Sequence, residues 1–287
     1  MRKIKTLIII MFIGVTSLLS QDKISTVLFP VGLNFVPLKA NMCEPKMGIW
    51  YHNASTNLKV DIGNSVDLFG YRIGSDVYIT AGADFWGYAL TTSYSGNRLQ
   101  IDALDGFFGG NISYSQKFEN RKVLIRFRII HNSAHLVDGH YDKNKGGWLK
   151  QEPIPYTEDF GEITIAQESY FENFVVKYYG SIAYSTMVRP LGLKKWAYNA
   201  GFELAANNYF KNLFGSDSSP FIAYHFELDG IPEYIGNNNI MLGIKFGNWY
   251  EKGLSLYISY YSGSNYFSEY YFQRISKFGI GMSVDFF

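Results

Sequence analysis

The sequence predicts an all-β fold: a transmembrane antiparallel β-barrel of the outer-membrane type, with about twelve strands, an even number that suits a single-chain barrel. Three observations carry this. Apolar residues recur at every second position in segments of about ten residues, the rhythm of a strand with one face in lipid and the other in the lumen. After the N-terminal segment, no apolar run approaches the ~20 residues of a membrane helix. Aromatic residues make up 18% of the 287 residues, with 23 Tyr and 23 Phe against 8 Pro, material suited to the aromatic girdles of such barrels.

The elements follow in chain order. Arg2, Lys3 and Lys5 precede an apolar stretch from Leu7 to Leu19, which gives way to Ser20 and Gln21. A charged start, a greasy segment and a small residue form a secretory signal peptide, residues 1–20. Residues 21–47 do not join the two-residue rhythm, and Pro30, Pro37 and Pro45 interrupt them. They read as an irregular N-terminal arm that either plugs the lumen or lies in the periplasm. Residues 48–287 form the barrel, one domain without internal repeat or low-complexity stretch. The only cysteine, Cys43, has no intramolecular partner, so a secreted chain of this length is held by a large core or by a membrane. The net charge of +1 supplies no field for nucleic acid.

Within the barrel, Glu119–Arg121 reads as a tight turn and residues 122–135 as a strand rising to a long outer loop, 136–161. QESYFENFVVKYY, residues 167–179, reads as the next, descending strand. Apolar rows then recur at Trp196 to Leu204, Ile222 to Leu228, Ile240 to Phe246, Leu254 to Tyr260 and Phe278 to Phe286. Asn248–Gly253 is a periplasmic turn and Gly263–Arg274 an outer loop. A terminal Phe287 marks the last strand as descending to the periplasm, although the hydrophobic positions counted back from it fall on Asp285 and Ser283, a register shifted by one. Trp86, Trp196 and Trp249 read as girdle residues at strand ends.

The chemistry is concentrated in KVLIRFRIIHNSAH, residues 122–135. His131, Ser133 and His135 continue the row of Val123, Ile125, Phe127 and Ile129, opposite in parity to Arg126 and Arg128. Residues i and i+2 of a strand share a face, so a histidine and a serine lie side by side, ~6.6 Å apart at Cα, on a lipid-facing wall at its outer end. A serine nucleophile needs such a base, and the base needs an orienting group. Glu168 and Glu172 share the apolar parity of Phe174, Val176 and Tyr178 and are the candidates for that role, with Asp138 a weaker one. Three of the five histidines lie between 131 and 140, but residues four apart on a strand are ~13 Å apart, too far for one metal ion. Arg126 and Arg128 face the lumen and pair there with acidic side chains. The bland reading of His131, Ser133 and His135 is that they mark the boundary between lipid tails and headgroups.

The His-x-Ser at an outer-leaflet strand end resembles the motif of outer-membrane phospholipase A and of the lipid A deacylase barrels. That resemblance implies His131 as general base, Ser133 as nucleophile, and an Asn or acid on the adjoining strand, here Glu168 or Glu172, as the group orienting the histidine. The context after the serine departs from those families, being Ala134-His135-Leu136. A broader resemblance, carried by PLKANMCEPKMG (37–48) and FRIIHNSAHLVD (127–138), is to an envelope family catalogued as domain of unknown function 1207. It implies an outer-membrane barrel and no settled reaction, with His131, Ser133, His135 and Asp138 matching its His-x-Ser-x-His-x-x-Asp-like stretch.

The expectation is therefore a bacterial outer-membrane barrel whose sharpest functional reading is a serine/histidine acyl-ester hydrolase of outer-leaflet lipid. The alternative is a non-enzymatic barrel, either a narrow pore or a structural envelope protein. The expected partners are outer-membrane lipid and, during insertion, the barrel-assembly machinery. The residues imply no cofactor, and calcium dependence is left open.

Overall fold

In the bilayer core an unpaired backbone group has no water to bind, so strands that cross it must close into a ring. The computed structural model describes residues 24–52, 57–94, 98–136, 141–142, 145–148, 152 and 154–287; the expected signal peptide lies outside the described residues. Twelve strands form the ring. The first six are β1 Met47–His52, β2 Asn57–Ile73, β3 Val77–Tyr94, β4 Arg98–Lys117, β5 Arg121–Leu136 and β6 Thr157–Tyr170. The other six are β7 Phe174–Arg189, β8 Trp196–Ala206, β9 Ser216–Asp229, β10 Ile235–Phe246, β11 Gly253–Ser264 and β12 Arg274–Asp285. Each pairs antiparallel with the next, and β12 returns to β1, with Val284 opposite Met47 and Gly279 opposite His52. The long connection from β5 to β6 lies at the outer end, and short turns close the periplasmic end. One of these turns needs glycine: Gly247 has φ +115, a conformation other residues rarely adopt.

β1 is short and covers only Leu58–Asp61 of β2. A strand of the arm, Ile24–Leu28, pairs with Phe69–Ile73 further along the same edge. The chain then enters the lumen. Asn34 donates to the carbonyls of Tyr78 (3.1 Å) and Ser113 (3.2 Å) and receives Ser115 Oγ at 2.7 Å. Lys39 pairs with Asp285 on β12 at 2.5 Å, and Asn239 on β10 donates to the carbonyl of Ala40 at 2.7 Å. The arm is therefore a plug, one of the two routes left open by its sequence.

The arm ends in an ion cluster. Glu44 accepts both terminal nitrogens of Arg126, one at 2.9 Å, and Arg128 Nε meets Glu162 at 3.1 Å while its Nη2 donates to the carbonyl of Cys43 at 3.1 Å. All four side chains are buried. Arg126 and Arg128 thus face the lumen and pair with acids there, as their parity predicts.

Parity sorts the wall. Phe278, Ile280 and Met282 of β12 are exposed to lipid while Gly281 and Ser283 face inward. Asp285 explains the shifted register of the terminal strand: it bonds Lys39 and Lys245 inside the barrel, while Phe286 stays outside. The girdle reading holds for one tryptophan of three. Trp196 is 44% exposed and packs on Tyr184 at 4.7 Å. Trp86 is 1% exposed, because outward Phe85 precedes it and the pleat turns it into the lumen, where it stacks on Phe107 at 4.6 Å. Trp249 is buried in the β10–β11 turn against Phe221.

Removing one partner from a buried ion cluster leaves an uncompensated charge. Glu44→Ala is expected to destabilise the barrel by roughly 3–5 kcal/mol, read as an earlier urea midpoint in unfolding of the detergent-folded protein; an unchanged midpoint would show that the plug does not contribute to stability.

Candidate functional site

β5 and β6 build the site. Along β5 the outward row runs Ile125, Phe127, Ile129, His131, Ser133 and His135, and the inward row Leu124, Arg126, Arg128, Ile130 and Asn132. The predicted juxtaposition of His131 and Ser133 on the lipid-facing wall is therefore present. Directly across the ladder, His131 is opposite Asp159 of β6. Its Nδ1 lies 2.6 Å from Asp159 Oδ1, with the two side chains 33% and 40% exposed. Ser133 Oγ meets His135 Nε2 at 2.8 Å, so in this structure the serine and His131 each have a different partner. Thr157 stands opposite Ser133 and donates to the carbonyl of Asn132 at 2.8 Å.

The orienting acids expected from the sequence are not at this site. Glu168 is opposite Lys122 at the periplasmic end of β6, nine residues from Asp159 and so ~30 Å along the strand. It is 3% exposed, faces the lumen, and bonds Lys177 at 3.1 Å and the Tyr170 hydroxyl at 2.8 Å. Glu172 lies in the turn between β6 and β7, where the Phe171 N–H closes on the Phe174 carbonyl at 2.8 Å. The physical reason is that residues 167–179 are two strands and a turn, not one descending strand, and the chain descends through residues that read as loop. Asp138 lies outside the described residues. Asp159 is the acid that sequence reasoning missed. A signal for it exists in EITIAQ, residues 162–167, where Ile163 and Ile165 alternate with Glu162 and Thr164; extended backwards, that parity puts Asp159 outside and Glu158 inside.

A groove of about 680 Å³ runs down the outer wall from the His131–Asp159 pair, floored by Gly110 and walled by Phe108, Ile112, Phe127 and Ile129. Phe108 packs on the His131 ring at 4.8 Å. Gly110 belongs to the outward row between Phe108 and Ile112, opposite Ala83 and Ile129. A Cβ there would meet nothing nearer than 3.5 Å, so the backbone tolerates a side chain and the glycine contributes space. His131 and Asp159 stand at the head of this apolar groove, with Ser133 the next outward residue of β5; such groups can exchange a proton where a hydroxyl is brought to the imidazole.

No known protein family matches the chain, and no curated protein does. Among solved structures it is similar to outer membrane phospholipase A from Escherichia coli, at 10% identity over 84% of this chain and 92% of that one, with a TM-score of 0.51. An active-site mutant of the same enzyme matches over 88% and 93% at 10% identity, with a TM-score of 0.50. The toluene transporter TodX of Pseudomonas putida is 13% identical over 91% and 76%, with a TM-score of 0.44. These identities establish a shared fold alone. Ring closure and an apolar outer wall define the chain as a twelve-stranded β-barrel of the bacterial outer membrane.

A hydrogen bond at 2.6 Å to a carboxylate fixes the proton of His131 on Nδ1. Nitrogen-15 spectra of the folded barrel are expected to show one histidine with a slowly exchanging, downfield Nδ1 proton. Asp159→Ala should abolish that signal and leave His135 unchanged; a signal that survives would sever the pair.

Proposed function

We propose that this barrel is an acyl-ester hydrolase of outer-leaflet lipid. The observation that carries the reading is the Asp159–His131 pair at 2.6 Å on the lipid-facing wall, with Ser133 the next residue of the same row. Asp159 replaces Glu168 and Glu172 as the orienting group. With Nδ1–H donated to Asp159, Nε2 of His131 is left as the base. Rotation of Ser133 about χ1, which an exposed side chain makes in picoseconds to nanoseconds, turns Oγ from His135 towards His131. Ser133 Oγ attacks the ester carbonyl as His131 takes its proton; His131 then returns that proton to the departing alcohol, and water hydrolyses the acyl-serine by the same route. The groove over Gly110 holds the acyl chain, so that the scissile ester arrives at the headgroup boundary.

The structural neighbour outer membrane phospholipase A is by name a phospholipase, which agrees with this reading. The resemblance to domain of unknown function 1207 has no family match behind it and names no reaction. The competing reading of a narrow pore has against it the arm, whose residues from Asn34 to Glu44 are bonded across the lumen.

Release of fatty acid from phospholipid and from lipid A by the refolded protein tests the reading, with calcium present and absent. Ser133→Ala and His131→Ala should fall to background, and Asp159→Ala should lose roughly 10²–10⁴-fold in kcat. His135→Ala should lose less than about tenfold, being a resting partner of the serine. Full activity in Ser133→Ala, or none in the wild type, would return these residues to a structural role at the lipid boundary. Gly110→Phe fills the groove and should raise KM for long-chain esters while leaving kcat for short-chain esters near that of the wild type; an equal loss on both would remove the groove from substrate binding.

A further inference from the structure

Several buried acids of the lumen have cations. Glu44 and Glu162 pair with Arg126 and Arg128, Glu168 and Glu203 with Lys177, and Asp285 with Lys39 and Lys245. Three others that lie together do not. Glu158, Glu227 and Asp229 face one space beneath the outer loops, made of two adjoining cavities of about 120 and 70 Å³ that share all three carboxylates and Cys43 of the arm. Among the described residues no lysine, arginine or histidine lies within ion-pair distance of any of them. Lys194 and Lys195 border the smaller cavity, yet the Lys195 ammonium is turned to the Thr186 carbonyl at 3.3 Å and Lys194 forms no ion pair. The bonds the acids do make are neutral. Glu158 accepts the hydroxyls of Tyr156 (2.9 Å) and Ser185, and Glu227 accepts Asn237 Nδ2 at 3.2 Å.

A second observation is independent of the acids. Asn132 and Asn199 are 3% and 8% exposed, line the larger and the smaller cavity respectively, and each has a side-chain carbonyl oxygen without a donor. Their amide nitrogens are used, on Ser268 at 3.1 Å and Ser181 at 2.8 Å. Each of these oxygens belongs to a residue directly across the ladder from a carboxylate, Asn132 from Glu158 and Asn199 from Glu227. Unpaired carboxylates and orphaned carbonyls in a desolvated space are costly, and with the carboxyls ionised all of them are acceptors. The complement they lack is a cation with several N–H donors.

We propose that this space binds a small molecule carrying a protonated primary amine. An ammonium presents three donors, which match carboxylates and amide oxygens from opposite walls. Among the described residues no three His, Cys, Asp or Glu converge in a geometry that holds a metal ion, which favours an extended organic cation over a compact one. Phe107, Phe160 and Tyr266 line the larger cavity, giving aromatic faces to the cation and its hydrocarbon part. At about 120 Å³, against ~10–15 Å³ for one water, the cavity takes several heavy atoms. This site is inside the barrel and stands apart from the hydrolase reading.

The test is calorimetric titration of the refolded full chain in detergent with 1,4-diaminobutane, 1,4-butanediol or calcium chloride. The diamine should bind saturably with one site per barrel, and the diol should give no heat beyond dilution. Glu227→Gln and Asn132→Leu, with folding confirmed by heat-modifiable gel mobility, should each weaken the diamine about tenfold or more, as loss of a charge-assisted or buried hydrogen bond does. Asp217→Asn, at an exposed carboxylate on the periplasmic side, should leave it unchanged. Absence of saturable diamine binding overturns the proposal, as does an affinity unaltered in both cavity variants. Calcium that binds once per barrel and displaces the diamine would assign the space to a divalent cation instead.

Discussion

A backbone in lipid has no solvent to satisfy it, and this one constraint shapes the molecule. β12 must return to β1, and because β1 reaches only part of β2, a strand of the N-terminal arm takes up more of that edge. Closure then creates a second problem. Inward residues of a ring this wide leave space that polar side chains alone do not fill, and the arm supplies the missing contacts. It is anchored at intervals by bonds to opposite walls: Asn34 to β3 and β4, Lys39 to β12, Glu44 to β5. Barrel and plug are in this sense one solution, since the arm both covers an edge outside and closes the lumen within.

Charge inside the barrel follows from the same closure. Several lumenal carboxylates near the plug have lost water and are compensated by arginine or lysine, with Glu44 and Arg126 bonded by both oxygens of the acid. A pair of this kind repays its desolvation only when the geometry is good and every remaining proton is used. Arg128 meets it only in part: its Nη2 bonds Glu162 and the Cys43 carbonyl, while Nε and Nη1 make no hydrogen bond. Glu158 and Glu227, in contrast, meet only hydroxyls and an amide. Buried acids of the lumen are therefore of two kinds, those held by a cation and those held by neutral donors alone.

The fold was legible because period-two alternation is a local signal. Ile258 and Tyr260, or Phe278 and Ile280, declare their side of the wall without knowledge of any neighbour. The site was half legible for the same reason. His131 and Ser133 lie two apart on one strand, so their shared face is local, whereas the partner of His131 depends on how β5 is registered against β6. Glu168 was an error of this kind: a turn at Phe171–Asn173 hides in a run of aromatic residues that reads as continuous strand, and missing it reversed the direction of the chain. Asp159 was then assigned to a loop. Trp86 shows a related failure, since aromatic type suggested a girdle where the parity set by Phe85 dictated the lumen. Glu44 lay in a segment with no periodicity, where only tertiary contact gives a residue its role.

Alternation also explains how one hairpin-like pair of strands serves two environments. Across β5 and β6 the consecutive opposed pairs are His131 with Asp159 and Asn132 with Glu158. The first pair faces lipid and the second the lumen, one residue apart along the strand. A slip of β6 by one residue would turn over its own row, placing Asp159 in the cavity and Glu158 against lipid tails and parting His131 from its acid. Each pair therefore constrains the other. The ionisable pair is tolerated outside only because it falls at the headgroup boundary, and the acid within is tolerated only in a polar space. What holds the register is the long ladder below, where Ile125 faces Ile165 and Arg128 faces Glu162. The arginine that anchors the plug thereby also sets the height at which His131 meets the membrane surface.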